Sequence, residues 1–165
     1  MSEPKWLVTA RAELGTLETP GTADNPKVLQ YAKDAGLAQI INHDAVSWCA
    51  AFIGAMLVRN GINGSGKANA RSYEAWGESL RAPVLGCVCV LARPPVTWQG
   101  HVGFLIGAND TVVQLIGGNQ SDSVSIAAFK RSRVVAYRWP VGEIIKAAWV
   151  GPRVQDQVAI SQTEA

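Results

Sequence analysis

The sequence predicts an α+β chain in which N-terminal helices pack on a C-terminal antiparallel sheet of about five to six strands. Apolar residues recur at helical spacing through the first half, and from residue 83 the period changes to short β-prone runs. Turn chemistry such as Ala108-Asn109-Asp110 separates those runs, so they read as a meander. At 165 residues, 48% hydrophobic and 17% charged, the chain can bury one sizeable core and lies far from the composition of disordered segments. Residues 1–150 are taken as one domain and 151–165, with "VQDQVAISQTEA", as a flexible C-terminal tail.

The elements follow in order. Trp6, Leu7, Ala10 and Leu14 predict an amphipathic helix over 5–14, which Gly15 stops. "ETPGTADNP" (18–26) is a loop by composition, and Pro26, after Asp24 or Asn25 as cap, opens a second helix that carries Val28, Leu29 and Tyr31 to Gly36. Asp44 or Ser47 caps a third, in which Cys49, Phe52, Ile53, Met56 and Leu57 keep one apolar face until Asn60-Gly61. "NGINGSGKAN" is a glycine-rich connection and "ARSYEAWGESL" a short fourth helix. Strands are expected at 84–92, 101–108, 111–117, 123–129 and 133–139.

Charge and cysteine usage exclude several classes. The net charge of +2 is too weak to predict a nucleic-acid partner, and the cluster Lys130, Arg131, Arg133 and Arg138 reads as a strand edge defended by charge. Three cysteines do not make a disulfide framework. Cys87 and Cys89 point to one face of a strand with Cα atoms about 6.6 Å apart, near the limit for bridging, and are read as buried apolar residues. The two histidines complete no zinc spacing, so neither metal nor cofactor is expected. The N-terminus lacks the pattern of a signal peptide and no run of 18 apolar residues occurs. The expectation is a monomer made in the cytoplasm, without stable membrane insertion.

One constellation can carry chemistry. Cys49 falls in the first turn of a helix, where unsatisfied N–H groups and the helix dipole stabilise a thiolate and can also serve an oxyanion. His101 starts a strand after Gly100 and can act as the base. Asn119, in "LIGGNQ", follows the next strand, and Gly117-Gly118 let the backbone approach closely; Asn119, its neighbour Gln120 or a backbone carbonyl could hold the second imidazole nitrogen. Trp48, Tyr73, Trp76 and Trp98 are aromatic candidates for groove walls, with Trp76 better read as core and Trp98 closest to the site; Asp44 and Gln120 are polar candidates for substrate contact. Arg71 could meet a substrate carboxylate, although a solvated arginine is the default.

The segments "WCAAFIGAMLVRNGI" (48–62), "GHVGFLIG" (100–107) and "LIGGNQSDSVSI" (115–126) resemble the NlpC/P60 and CHAP group of papain-like cysteine cell-wall peptidases and amidases, above all its small phage and prophage endolysin-like members. The resemblance covers residues 5–140. It implies a papain-like NlpC/P60 fold and hydrolysis of a peptidoglycan amide bond, with Cys49 as nucleophile, His101 as base and Asn119 as orienting residue. It also implies peptidoglycan as partner and action in the periplasm or wall, reached through a separate holin or a secretion system. Some members of the group bind calcium in an aspartate-rich loop before the cysteine. Here only Asp44 lies there, with His43 and Asn42, too few oxygen ligands for a site. Trp48 stands immediately before Cys49, so a second oxyanion donor is not identified by sequence. An acyltransferase, a catalytically silent wall-binding protein and a secreted antibacterial amidase on the same fold are the alternatives.

Overall fold

The third helix, which starts at the cysteine, is the piece around which the other elements are arranged in a computed structural model. The model describes residues 2–44, 47–154 and 160–161. Helices α1 (Lys5–Ala12), α2 (Pro26–Asp34) and α3 (Cys49–Val58) precede six strands: β1 (Glu78–Leu80), β2 (Val88–Arg93), β3 (Val96–Ala108), β4 (Val112–Gln120), β5 (Ser123–Lys130) and β6 (Val134–Trp139). The strands form one antiparallel sheet in the order β1-β6-β2-β3-β4-β5. The architecture is therefore α+β.

α3 is apolar all round. Every residue from Cys49 to Leu57 is buried, because the helix packs on β3 and β4 and also on α1 and α2. Such a helix is a core element rather than an amphipathic one, so the expected single apolar face is wider than its spacing suggested. Small residues allow the crowding: a Cβ on Gly54 would lie 2.9 Å from that of Ala35. α2 begins as its sequence predicts, with the Asn25 side chain accepting a hydrogen bond from Lys27 N at 2.9 Å and Pro26 in the first turn.

Boundaries differ from those read in the sequence, β4 running to Gln120 rather than 117 so that Asn119 lies within it, and three other differences stand out. α1 stops at Ala12 rather than 14, as Gly15 turns left-handed (φ 93°) and its N–H bonds Val124 O instead of continuing the helix. The stretch "ARSYEAWGESL" is not a fourth α-helix: Ala70–Ala75 is a 3-10 turn, and Glu78–Leu80 pairs with β6 as strand β1. Gly77 makes this break, with φ 63° and a backbone pressed so closely on the Trp139 carbonyl that no Cβ fits. β3 starts at Val96 rather than 101, so His101 sits inside a long strand opposite Leu91 rather than at a sheet end.

Three arginines of the basic cluster spend their guanidinium groups on backbone. Arg131 Nη1 donates to Asn109 O at 2.8 Å, Arg133 Nε to Ala92 O at 2.9 Å and Arg138 Nε to Trp76 O at 2.6 Å. They tie loops to the sheet and do not present a common cationic face. Within the 151–165 segment, Arg153 bridges to Ala108 and Ile160 to Ala128, while residues 155–159 and 162–165 lie outside the described residues. Among the described residues no helix is long and apolar enough to cross a membrane.

The two glycine positions Gly77 and Gly142 separate conformational strain from steric exclusion. Both have positive φ, but a Cβ on Gly142 meets nothing. Gly142→Ala should cost about 1 kcal/mol from the left-handed conformation alone, and Gly77→Ala at least twice as much; urea unfolding of the two variants measures the difference.

Candidate active site

Cys49 is the first residue of α3, where the backbone N–H groups of the opening turn have no intrahelical acceptor. Among the described residues, neither Asp44 nor Ser47 stands at the cap position expected of them, and the N-cap Trp48 makes no side-chain capping hydrogen bond at this end. Its donors and the positive end of the helix dipole are thus left for the thiol and for whatever approaches it. Trp48, immediately before, is fully buried and anchors the turn: its Nε1 donates to Glu18 Oε1 at 2.8 Å and its ring stacks on Tyr31. Trp48 therefore positions the cysteine and is not a groove wall.

The imidazole of His101, itself buried in β3, is the group that most strongly lowers the pKa of the Cys49 thiol. Burial pushes the Cys49 pKa up. The polar contact and charge of His101, with smaller influences from the Val102 backbone and Ser47, outweigh that, and the net direction is down. At the other two cysteines burial prevails over the lowering influences, the Val84 backbone at Cys87 and the Arg131 charge at Cys89. Burial pushes Cys87 up to about 12 and raises Cys89 well above the ordinary thiol value, with the charge of Cys87 adding to it, which makes both unreactive core residues.

The second imidazole nitrogen is held by Gln120, not by Asn119. His101 Nε2 lies 3.0 Å from Gln120 Oε1. The amide cannot be turned round, because Gln120 Nε2 donates to the carbonyl of Ser125 at 2.8 Å and a carbonyl only accepts. Nε2 of His101 must consequently carry the proton, which leaves Nδ1 as the nitrogen able to take up a proton from the thiol. Gly117 makes room for this arrangement, since a Cβ there would stand 2.7 Å from Gln120 Oε1.

A bulge in β4 explains why Gln120 rather than its neighbour Asn119 meets His101. Phe104 pairs with Ile116, so a regular ladder would set Asn119 opposite His101, three residues further on each strand. Gly117 pairs with Ser125 and Gln120 with Ser123, so three steps along β4 match only two along β5. One extra residue is accommodated there, with Asn119 in left-handed backbone at φ 59°. Gln120 takes the place that Asn119 would have held, and Asn119 Nδ2 instead donates to Ser47 Oγ at 3.2 Å.

Cys49 opens on a cavity of about 300 Å3 lined by Ser47, Asn69, Arg93, Trp98 and Gln99. Trp98 is 70% exposed and forms its outer wall. Arg71 braces this wall and does not enter the cavity: its guanidinium pairs with Glu74 and donates to the carbonyls of Thr97 and Gln99. Asp44 is also structural, since it is buried and accepts from Thr19 N and Asn25 N at 2.7 and 2.8 Å, knotting the 18–25 loop to the segment before α3. Tyr73 is buried under the glycine-rich connection and lines a different cavity, of about 220 Å3, beside Ala50 and Lys67. Ser47, Asn69, Arg93 and Gln99 were not singled out for the site from sequence, because nothing in their local pattern shows that three separate segments converge. Among the described residues no group of three or more His, Cys, Asp or Glu could hold a metal ion.

The arrangement is a thiol at a helix N-terminus, an imidazole that lowers its pKa, and an amide that fixes the imidazole tautomer. Such a set can generate a thiolate, donate a proton to a leaving group and hold an oxyanion. In comparisons with known proteins, no family model matches the chain and no curated protein matches it.

Because the Cys49 pKa is lowered, its thiolate should persist below the pH at which an ordinary thiol protonates. His101→Ala removes the dominant lowering partner and leaves burial opposed only by the Val102 backbone and Ser47, so alkylation of Cys49 by iodoacetamide at pH 7 should slow about ten-fold or more, one pKa unit being a factor of ten in thiolate. Gln120→Ala should slow it in the same direction by freeing the imidazole to adopt the other tautomer, as stopped-time mass spectrometry of the labelled protein would show.

Proposed function

We propose that this protein is a papain-like cysteine hydrolase of the NlpC/P60–CHAP kind that cleaves an amide bond of bacterial peptidoglycan. The observation that carries the reading is the line from the Cys49 sulfur through His101 to Gln120, set at a helix N-terminus and open to a cavity walled by an exposed tryptophan. The sequence resemblance over residues 5–140 supplies the substrate class. Without it, the site geometry supports acyl transfer from an amide or ester in general.

The chemistry follows from the residues present. The Cys49 thiolate attacks the scissile carbonyl carbon, and the electron pair moves onto the carbonyl oxygen, which the Cys49 N–H at the start of α3 can receive. His101, carrying the proton taken from the thiol, gives it to the departing amine as the C–N bond breaks and a thioester forms. Water, deprotonated by His101, then attacks the thioester, releasing a carboxylate and restoring the thiol. Gln120 holds the ring through both transfers, so that the same nitrogen faces the sulfur each time. Trp98 offers an aromatic surface for a sugar face or the aliphatic part of a stem peptide. The endolysin-like reading places the action in the periplasm or wall, after passage through a separate holin or secretion system.

Digestion of purified peptidoglycan under reducing conditions, followed by mass spectrometry of the soluble fragments, tests the reading. New amine termini should appear with the parent protein and vanish with Cys49→Ala, and the masses name the bond. No new termini from the parent protein would remove the hydrolase assignment. Trp98→Ala, at an exposed position, should leave thermal stability unchanged while weakening wall binding about ten-fold, equivalent to about 1.4 kcal/mol, as pelleting with wall preparations would measure.

A further inference from the structure

Ser47 and Asn119 stand beside the Cys49–His101–Gln120 line without belonging to it. Asn119 is 1% exposed, adopts left-handed backbone, and its Oδ1 accepts no hydrogen bond among the described residues. A buried asparagine in that state is costly, and such strain persists where the surroundings impose it. Its amide Nδ2 reaches across 72 positions of sequence to donate to Ser47 Oγ at 3.2 Å. Ser47 is exposed, stands two residues before Cys49, lines the same cavity, and is among the groups that lower the thiol pKa.

A hydroxyl has one proton and two lone pairs. When the Asn119 N–H occupies a lone pair, the proton is free to point at the sulfur. Were the Asn119 oxygen turned to Ser47 instead, the hydroxyl would donate to it and present a lone pair to the thiolate. We propose that Ser47 is a catalytic hydrogen-bond donor to the Cys49 thiolate, and that Asn119 is the positioning residue that sets the direction of its proton. This rests on the reading of Cys49 as the nucleophile, but not on the identity of the substrate.

The groups that act on Cys49 are His101 and the Val102 backbone from β3, the Tyr73 phenol, which meets it only through charge from the neighbouring cavity, and Arg93, which lines the Cys49 cavity at the end of β2. Ser47 and Asn119 differ from the three titratable ones because they can be altered without changing any charge. The pH dependence of Cys49 alkylation by iodoacetamide therefore isolates their contribution. Cys87 and Cys89, buried and without lowered thiol pKa values, do not contribute to the signal.

Ser47→Ala and Asn119→Gly are the variants, glycine being chosen because it adopts φ 59° without strain. Each should raise the midpoint of the alkylation profile by about one pH unit, the size of a single hydrogen bond to a charged group. The double variant should move no further than Ser47→Ala alone, because Asn119 acts only through the hydroxyl. An unmoved midpoint in Ser47→Ala overturns the proposal, as does an Asn119→Gly shift that persists when Ser47 is already alanine. A parental midpoint in the ordinary thiol range would overturn the nucleophile reading as well. A low parental midpoint with unmoved variants overturns the role of Ser47 and Asn119 alone.

Discussion

The bulge at Gly117–Gln120 is the constraint on which the cysteine end of the molecule depends. Where β4 meets the first turn of α3, Gly118 lies so close to Phe52 and the Trp48 ring that a Cβ would stand 2.6 Å from the one and 2.7 Å from the other. The helix can dock there only because that strand position has no side chain. The same bulge rotates Gln120 toward His101 and Asn119 toward Ser47. A single extra residue thus fixes how close the helix comes, which amide holds the imidazole, and which amide meets the segment before the cysteine.

Burial and charge stabilisation oppose one another at the thiol. A cysteine 4% exposed in a nearly all-apolar helix would ordinarily be a core residue with a raised pKa, as Cys87 and Cys89 are. Cys49 escapes that fate through its position at the helix start and through partners on other elements: His101 and Val102 on β3, and Ser47. Low dielectric strengthens each of those interactions while penalising any that is lost. The surrounding apolar residues are therefore part of the site's chemistry as well as of its stability.

Polar groups elsewhere mostly hold loops in place. Arg71 braces the wall of the cavity, Arg133 and Arg138 tie the β6 region to β2 and to the turn at Gly77, and Asp44 ties the 18–25 loop to the approach to α3. These side chains satisfy backbone groups that irregular segments cannot satisfy among themselves. Residues whose charge invites a functional reading are in this fold spent on connecting the segments that frame the cavity.

Sequence by itself determined the α+β class, the run of helices before strands, the cap at Asn25, and the placement of a cysteine at a helix start with a histidine and a polar amide downstream on β-prone runs. Those features are local: periodicity, turn residues and caps act over a few positions. Only the tertiary structure decided that Gln120 rather than Asn119 meets His101, that Trp48, Tyr73 and Asp44 are buried supports, and that "ARSYEAWGESL" divides into a 3-10 turn and an edge strand. Each of these depends on pairing between distant segments: the extra residue in β4 counted against β5, the 18–25 loop folded onto the segment before α3, and β6 pressed on Gly77. The Gly-Gly-Asn of "LIGGNQ" signals irregular backbone. Which of two adjacent amides such a bulge turns toward the histidine is settled by strand register, which no local pattern encodes.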